Sequence, residues 1–254
     1  MAKVETIALI EKRPDISRSL FTRYWRDVHG VMAARIPGFD SYTQHHVSSY
    51  SELKYNFEPF EGIAVVSFKN EADRAGLVES KITSFIHRDE QNVFRRALLY
   101  NLPKSAEVYI GNEEAIGTIL VYFVLPQSTN VDELISNIQT SSVKSLKKYD
   151  LTGGDPSAWN ETDASDGQKG RLFTTLLETR WKDKEDLKTA IKKNPQISAD
   201  RVGIYIVDDT YKMVEQGFPT HIGLRGLDAV KTIEEAKAEN QLERNVVKEI
   251  YQIK

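Results

Sequence analysis

Apolar residues recur at two different periods along the chain, and the switches between them mark its elements. Val4 to Ile10 is a short β-favouring run that ends in Glu11, Lys12 and Arg13, and Pro14 takes the chain out of regular structure. Ser17 then offers a helix cap, and Leu20, Phe21, Tyr24, Trp25, Val28, Met32 and Ile36 follow at helical spacing until Pro37 and Gly38. From Phe39 to Ser49 the pattern alternates, with Phe39, Ser41, Thr43, His45 and Val47 on one face and Asp40, Tyr42, Gln44, His46 and Ser48 on the other. Ser51 to Glu61 reads as a covering loop. The pattern then predicts a third strand at Gly62 to Phe68, helices over Glu71 to Phe85 and Asn92 to Leu102, and a fourth strand at Ala106 to Gly111.

Strand, helix, strand, strand, helix, strand is the ferredoxin-like arrangement. The second half begins the same way, with a strand at Thr118 to Leu125 and a helix from Val131 that is capped by Thr129 or Asn130 and continues to Leu146. Residues 150 to 170 are rich in Gly, Asp, Ser and Thr and read as loop, with no clean second strand. A strand at Arg171 to Trp181, a helix at Asp183 to Lys193, a strand at Arg201 to Val207 and a charged helical tail from Asp228 to Ile250 follow. The expected fold class is α+β: residues 1–115 form one ferredoxin-like unit and residues 116–254 a second, degenerate one with a helical tail. Each unit leaves one sheet face uncovered, and two units in tandem can bury those faces against each other as an intramolecular α+β barrel, a pseudo-dimer within one chain.

Composition narrows the function. The 34 basic and 37 acidic residues leave a net charge of −3, which offers no field for nucleic acid or an anionic membrane. The absence of cysteine removes disulfides, thiolate metal sites and cysteine nucleophiles. There is no GxGxxG or Walker loop. The N-terminal apolar run is too short for a signal-peptide core, so the expectation is a cytoplasmic protein.

Candidate chemistry concentrates between Arg13 and Val47, which holds three of the five histidines. Phe21, Trp25 and His29 are spaced i, i+4, i+8, so His29 faces whatever Trp25 faces. An imidazole with an ordinary pKa of about 6.5 is suited to acid or base work in a partly dry pocket, although a core histidine with a satisfied hydrogen bond would show the same spacing. Tyr42, Gln44 and His46 share one strand face, which either lines a pocket or meets solvent. Asp89 and Glu90 lie in a charged run with His87 and Arg88; one of them could orient a histidine, but such a run more often marks a solvated turn. His221 has no partner nearby in sequence. The spacing gives no metal site.

These residues resemble the EthD family of the dimeric α+β barrel superfamily. Its members begin Lys/Arg-Arg-Pro, carry Phe-x-x-Tyr-Trp-x-x-x-His on the first helix and continue with Tyr-x-Gln-x-His-Val on the next strand. Here these are Lys12, Arg13 and Pro14, then Phe21, Tyr24, Trp25 and His29, then Tyr42, Gln44, His46 and Val47. The resemblance covers about the first 50 residues. It implies a pocket between helices and sheet, with the helix histidine facing it. It also implies cofactor-free isomerisation, dehydration or decarboxylation of small aromatic or lactone compounds, or an accessory role beside haem monooxygenases. The expectation is therefore a cofactor-independent lyase or isomerase acting on a small hydrophobic or aromatic molecule. His29, His46 and Tyr42 would be catalytic, Phe21, Trp25, Met32 and Gln44 substrate-binding, with no metal and no cofactor. Non-catalytic binding of a hydrophobic metabolite is the alternative, and haem held by His29 is a third reading. The second half has no counterpart of this set, and further homodimerisation is left open.

Overall fold

The computed structural model describes residues 4–50, 59–111, 117–153, 173–194, 197 and 202–251. The loop expected over Ser51 to Glu61 and that over 150 to 170 fall largely outside these residues. In the first half, strands β1 (Val4–Lys12), β2 (Phe39–Ser49), β3 (Gly62–Phe68) and β4 (Phe94–Leu102) lie in the spatial order β2-β3-β1-β4, every pair antiparallel. A short strand β5 (Glu107–Ile110) follows. Strands β6 (Ile119–Leu125), β7 (Ser145–Asp150), β9 (Thr175–Trp181) and β10 (Gly203–Glu215) take the order β7-β9-β6-β10, the same arrangement by rank. β10 pairs with β2. The chain continues from β7 into β8 (Thr152–Gly153), which pairs with β4, so the two sheets also meet at their other edges and form an α+β barrel.

Strand periodicity divides the core into three parts. On β1, Ile7 and Leu9 point into the barrel beside Ile63, Leu98 and Tyr205, while Ala8 and Ile10 point outward beneath the helices. Both faces of this strand are covered, which explains its unbroken apolar run. The first helical layer comprises α1 (Arg18–Tyr24), a π turn (Trp25–His29), α2 (Gly30–Ala33), α3 (Glu71–Ala75) and α4 (Lys81–Val93). The second half is covered by α5 (Val131–Gln139) and α6 (Lys184–Lys192), packed on a separate apolar cluster. Helices α7 (His221–Arg225), α8 (Leu227–Glu235) and α9 (Arg244–Tyr251) follow β10. Among the described residues no helix is long and apolar enough to cross a membrane.

Several expectations are corrected. Asn92 to Leu102 was expected to be helical, but Phe94–Leu102 is β4, paired with β1 along most of its length. Its Arg, Ala and Leu content favours helix, yet alternate residues reach two different cores, and tertiary pairing overrides propensity. The strand expected at Ala106 to Gly111 exists as β5, but it pairs with β7 rather than joining the first sheet. The second strand of the latter half is present as β7, and α5 ends at Gln139 instead of reaching Leu146. The polar sequence SLKKYD becomes a strand through its partners β5 and β9. The helical tail is divided, with Lys237 at φ 53° closing its first part.

Candidate functional site

Ser17 caps α1, its hydroxyl accepting from the Leu20 N–H at 3.1 Å. The helix then widens into the π turn, where Gly30 N–H bonds back to Trp25 O. Such turns are rare and occur often at functional sites. Trp25 O also accepts from Gln44 Nε2 at 2.9 Å, and Gly30 leaves the room for it, because a Cβ there would lie 2.5 Å from that nitrogen.

His29 stands at the end of this turn, 4 % exposed. Its Nδ1 is 3.0 Å from Asp89 Oδ2, and the other carboxylate oxygen accepts from Tyr24 OH at 2.6 Å and Asn92 Nδ2 at 3.1 Å. Burial acts to raise the Asp89 carboxyl, but bonds from His29, Tyr24 and Asn92 outweigh it and hold the group below the usual carboxylate range. Asp89 is therefore an anion that accepts the Nδ1 proton. In the neutral imidazole this pairing places the lone pair on Nε2, which has no hydrogen-bond partner among the described residues. Burial and the neighbouring Asp89 push the Tyr24 hydroxyl up to about 12, so it stays a donor.

On β2, Tyr42, Gln44 and His46 point toward the helices and are buried, at 4 %, 0 % and 2 %. Gln44 is saturated. Its amide donates to Trp25 O and, at 2.8 Å, to Tyr42 OH, and its carbonyl lies 3.3 Å from His46 Nε2. Tyr42 is raised well above an ordinary phenol by burial, so it is neutral, and its own proton has no acceptor among the described residues. Burial first, then the charges of Arg26 and Arg18, depress His46 to about 3. It is a neutral imidazole that donates from Nε2. His45 points the other way, into the barrel, where it meets the Tyr122 ring at 5.4 Å.

A cavity of about 220 Å³ lies between the helices and the sheet. Its floor includes Ala8, Ala64, Val66 and Leu99, its walls include Trp25, Phe39, Phe68 and Phe94, and His29 and Tyr42 contribute polar groups. From α4, Thr83, His87 and Glu90 line another side. An apolar chamber with a few converging polar groups is the usual form of a small-molecule site. The Trp25 ring fits because Gly62 has no side chain; a Cβ there would come within 2.5 Å of the indole.

Of the residues singled out from sequence, His29, Trp25 and Tyr42 line the cavity, and Phe21, Met32, Gln44 and His46 do not. His46 lies behind Trp25, with ring centroids 4.5 Å apart, and Phe21 stacks on the indole at 5.6 Å. Met32 borders a groove on the outer side of the helices with Phe85 and Asn92. Asp89 and Glu90 do not form a solvated turn: both lie inside α4 and are buried, at 7 % and 2 %. The chain separation of 60 residues between His29 and Asp89 hides their pairing. The only local signal was an acidic pair interrupting an amphipathic pattern. Among the described residues no group of three or more His, Asp or Glu is placed to hold a metal ion.

Two antiparallel four-stranded sheets with outer helices, joined edge to edge around a shared core, define an α+β barrel protein with a chamber under the helices of its first half. Residues 13–96, about a third of the chain, match the family model described as EthD domain, in agreement with the motifs from Arg13 to Val47. No curated protein matches the sequence. The fold is similar to a solved structure described as an anthrone oxidase-like protein, at 12 % identity, covering 85 % of this chain and 95 % of that one with a TM-score of 0.47. It is also similar to the siroheme decarboxylase NirDL, at 8 % identity over 92 % and 80 % with a TM-score of 0.47. A putative monooxygenase from Lactobacillus acidophilus matches at 9 % identity over 85 % and 98 % with a TM-score of 0.41.

Proposed function

We propose that the protein is a cofactor-independent lyase or isomerase for a small, mostly apolar oxygenated compound, with His29 as the general acid or base. The observation that supports this most is the buried Asp89–His29 pair, which leaves Nε2 as a base at the wall of an apolar cavity. A carboxylate behind an imidazole fixes its tautomer and stabilises the imidazolium once a proton has been taken. Tyr42, a neutral phenol held from behind by Gln44, would donate to the substrate oxygen on which charge develops. Trp25, Phe39, Phe68 and Phe94 would hold the apolar body. Gln44 and His46 support this arrangement from behind instead of touching substrate. In this reading residues 1–115 carry the site and residues 116–254 form a second unit that completes the barrel.

Proton transfer to and from carbon leaves a direct record in heavy water. Small lactones and cyclic enols incubated with the protein in D2O would exchange their acidic C–H protons, and His29→Gln would abolish the exchange. Fragments that bind with no exchange or turnover across the panel would instead favour a carrier of a hydrophobic metabolite.

A further inference from the structure

The π turn that carries His29 is gripped from the far end of the chain. Asp27, in the middle of that turn, accepts from the backbone N–H of Leu227 at 2.7 Å, a residue 200 positions further on. Leu227 begins α8, which has no side-chain cap of its own, so Asp27 caps this helix across the tertiary fold. The same carboxylate receives Arg26 Nε at 2.7 Å and also bonds Nη2. Gly226, at φ 82°, brings the backbone close enough that an added Cβ would lie 3.2 Å from Asp27 Oδ1.

Arg26 extends the connection. It is 6 % exposed, its guanidinium lies 5.2 Å from the ring centre of Tyr211 on β10, and it reaches Asp228 at 3.2 Å. Tyr211 stands edge-on to His46 at 5.0 Å, and His46 lies on Trp25 at 4.5 Å. Contacts that leave the π turn at Arg26 thus return to it at Trp25, closing a loop through the second half of the chain.

The width of the turn matters because a π turn contains one residue more than an α turn. Relaxing it to α geometry would rotate the residues beyond it by about 100°, the angle per residue of an α-helix. His29 would then lose its aim at both Asp89 and the cavity. We propose that Asp27 is a positioning residue: by tying Arg26 and the start of α8 to the π turn, it holds His29 in register, and the C-terminal half takes part in the site. This rests on the acid–base reading of His29.

The test is the downfield proton resonance of His29 Nδ1–H in the full-length protein, identified by its loss in His29→Gln and Asp89→Asn. Asp27→Ala is expected to lose the resonance. Asp27→Asn keeps an oxygen for Leu227 but sets an amide nitrogen against Arg26 Nη2, and is expected to weaken it. Leu187→Ala, in the separate core of the second half, should lower the melting temperature and leave the resonance in place. Should Asp27→Ala not fold, Arg26→Lys serves, since it keeps the charge but removes the two-pronged grip, and loss of the signal is again expected. An unchanged resonance in the Asp27 or Arg26 variant, its equal loss in Leu187→Ala, or its absence from the wild type would overturn the proposal. The readout does not depend on turnover. Loss of the signal on Asp27→Ala in a protein that shows no proton exchange would defeat the functional reading and leave this one standing.

Discussion

The indole of Trp25 and the imidazole of His46 stack with centroids 4.5 Å apart and planes 31° apart, and only the indole borders the cavity. Trp25 thus separates His46 from the chamber and uses it as a backing. His46→Phe keeps an aromatic ring against Trp25 and removes the donor to Gln44 Oε1. The expected result is a stability loss of about 1 kcal/mol, read by urea denaturation, with any His29-dependent proton exchange retained.

The same burial makes stability fall in acid. Burial, joined by the charge of Arg180, depresses His45 to about 4, and His46 is depressed to about 3, whereas an unfolded histidine titrates near 6.5. Between those values the unfolded chain binds protons that the folded chain refuses, so stability declines as the pH drops below about 6.5 and levels off once the folded values are passed. Each group contributes a slope approaching about 1.4 kcal/mol per pH unit. The urea midpoint should therefore fall between pH 7 and pH 5, and His46→Phe should fall less steeply. Asp89 acts in the same direction at lower pH: its lowered carboxyl stabilises the fold above about pH 4, and that contribution is lost in stronger acid.

Gly62 is where the sheet admits the indole. A methyl group there would lie 2.5 Å from Trp25 Cζ3, so Gly62→Ala must push the ring into the cavity or bend β3. Overpacking of this kind costs roughly 1–3 kcal/mol. A calorimetric melt should show a drop of several degrees, and binding of a small aromatic fragment should weaken.

Removing the acid–base group and removing its support should differ in degree. His29→Gln is expected to lose roughly 10²- to 10⁴-fold in the rate of proton exchange. Asp89→Asn keeps the shape but not the charge. Since a hydrogen bond to a charged group is worth roughly 1.5–3 kcal/mol, it should lose about 10- to 100-fold. Circular dichroism should show both variants folded.

Ala64 forms part of the cavity floor beneath the helices. Ala64→Leu would occupy the space intended for ligand while adding apolar contact, and filling a cavity commonly adds about 0.5–2 kcal/mol. The melting temperature should hold or rise while fragment binding disappears. Unchanged binding would place the ligand elsewhere.

The positions legible in sequence were those determined by local periodicity. Ser17 as the cap, the stripe from Phe21 to His29, the stop at Pro37 and Gly38, and the alternation of Tyr42, Gln44 and His46 all depend on neighbours within a turn or a strand. The stretch Phe94–Leu102 misled because Arg, Ala and Leu favour helix when nothing else decides, and its strand form exists only beside β1. The polar strand β7 escaped notice for the same reason.

Sequence by itself determined the α+β class and the helix that bears His29, because hydrophobic period and turn chemistry are written in adjacent residues. Only the tertiary structure decided what His29 can do. Asp89 comes from 60 residues away and Leu227 from 200 residues beyond Asp27, and no periodicity records such distances. It also decided the fate of His46. Face alternation placed that imidazole on the same side as Tyr42, but the bulk of Trp25, admitted by Gly62, determined which of the two meets the cavity.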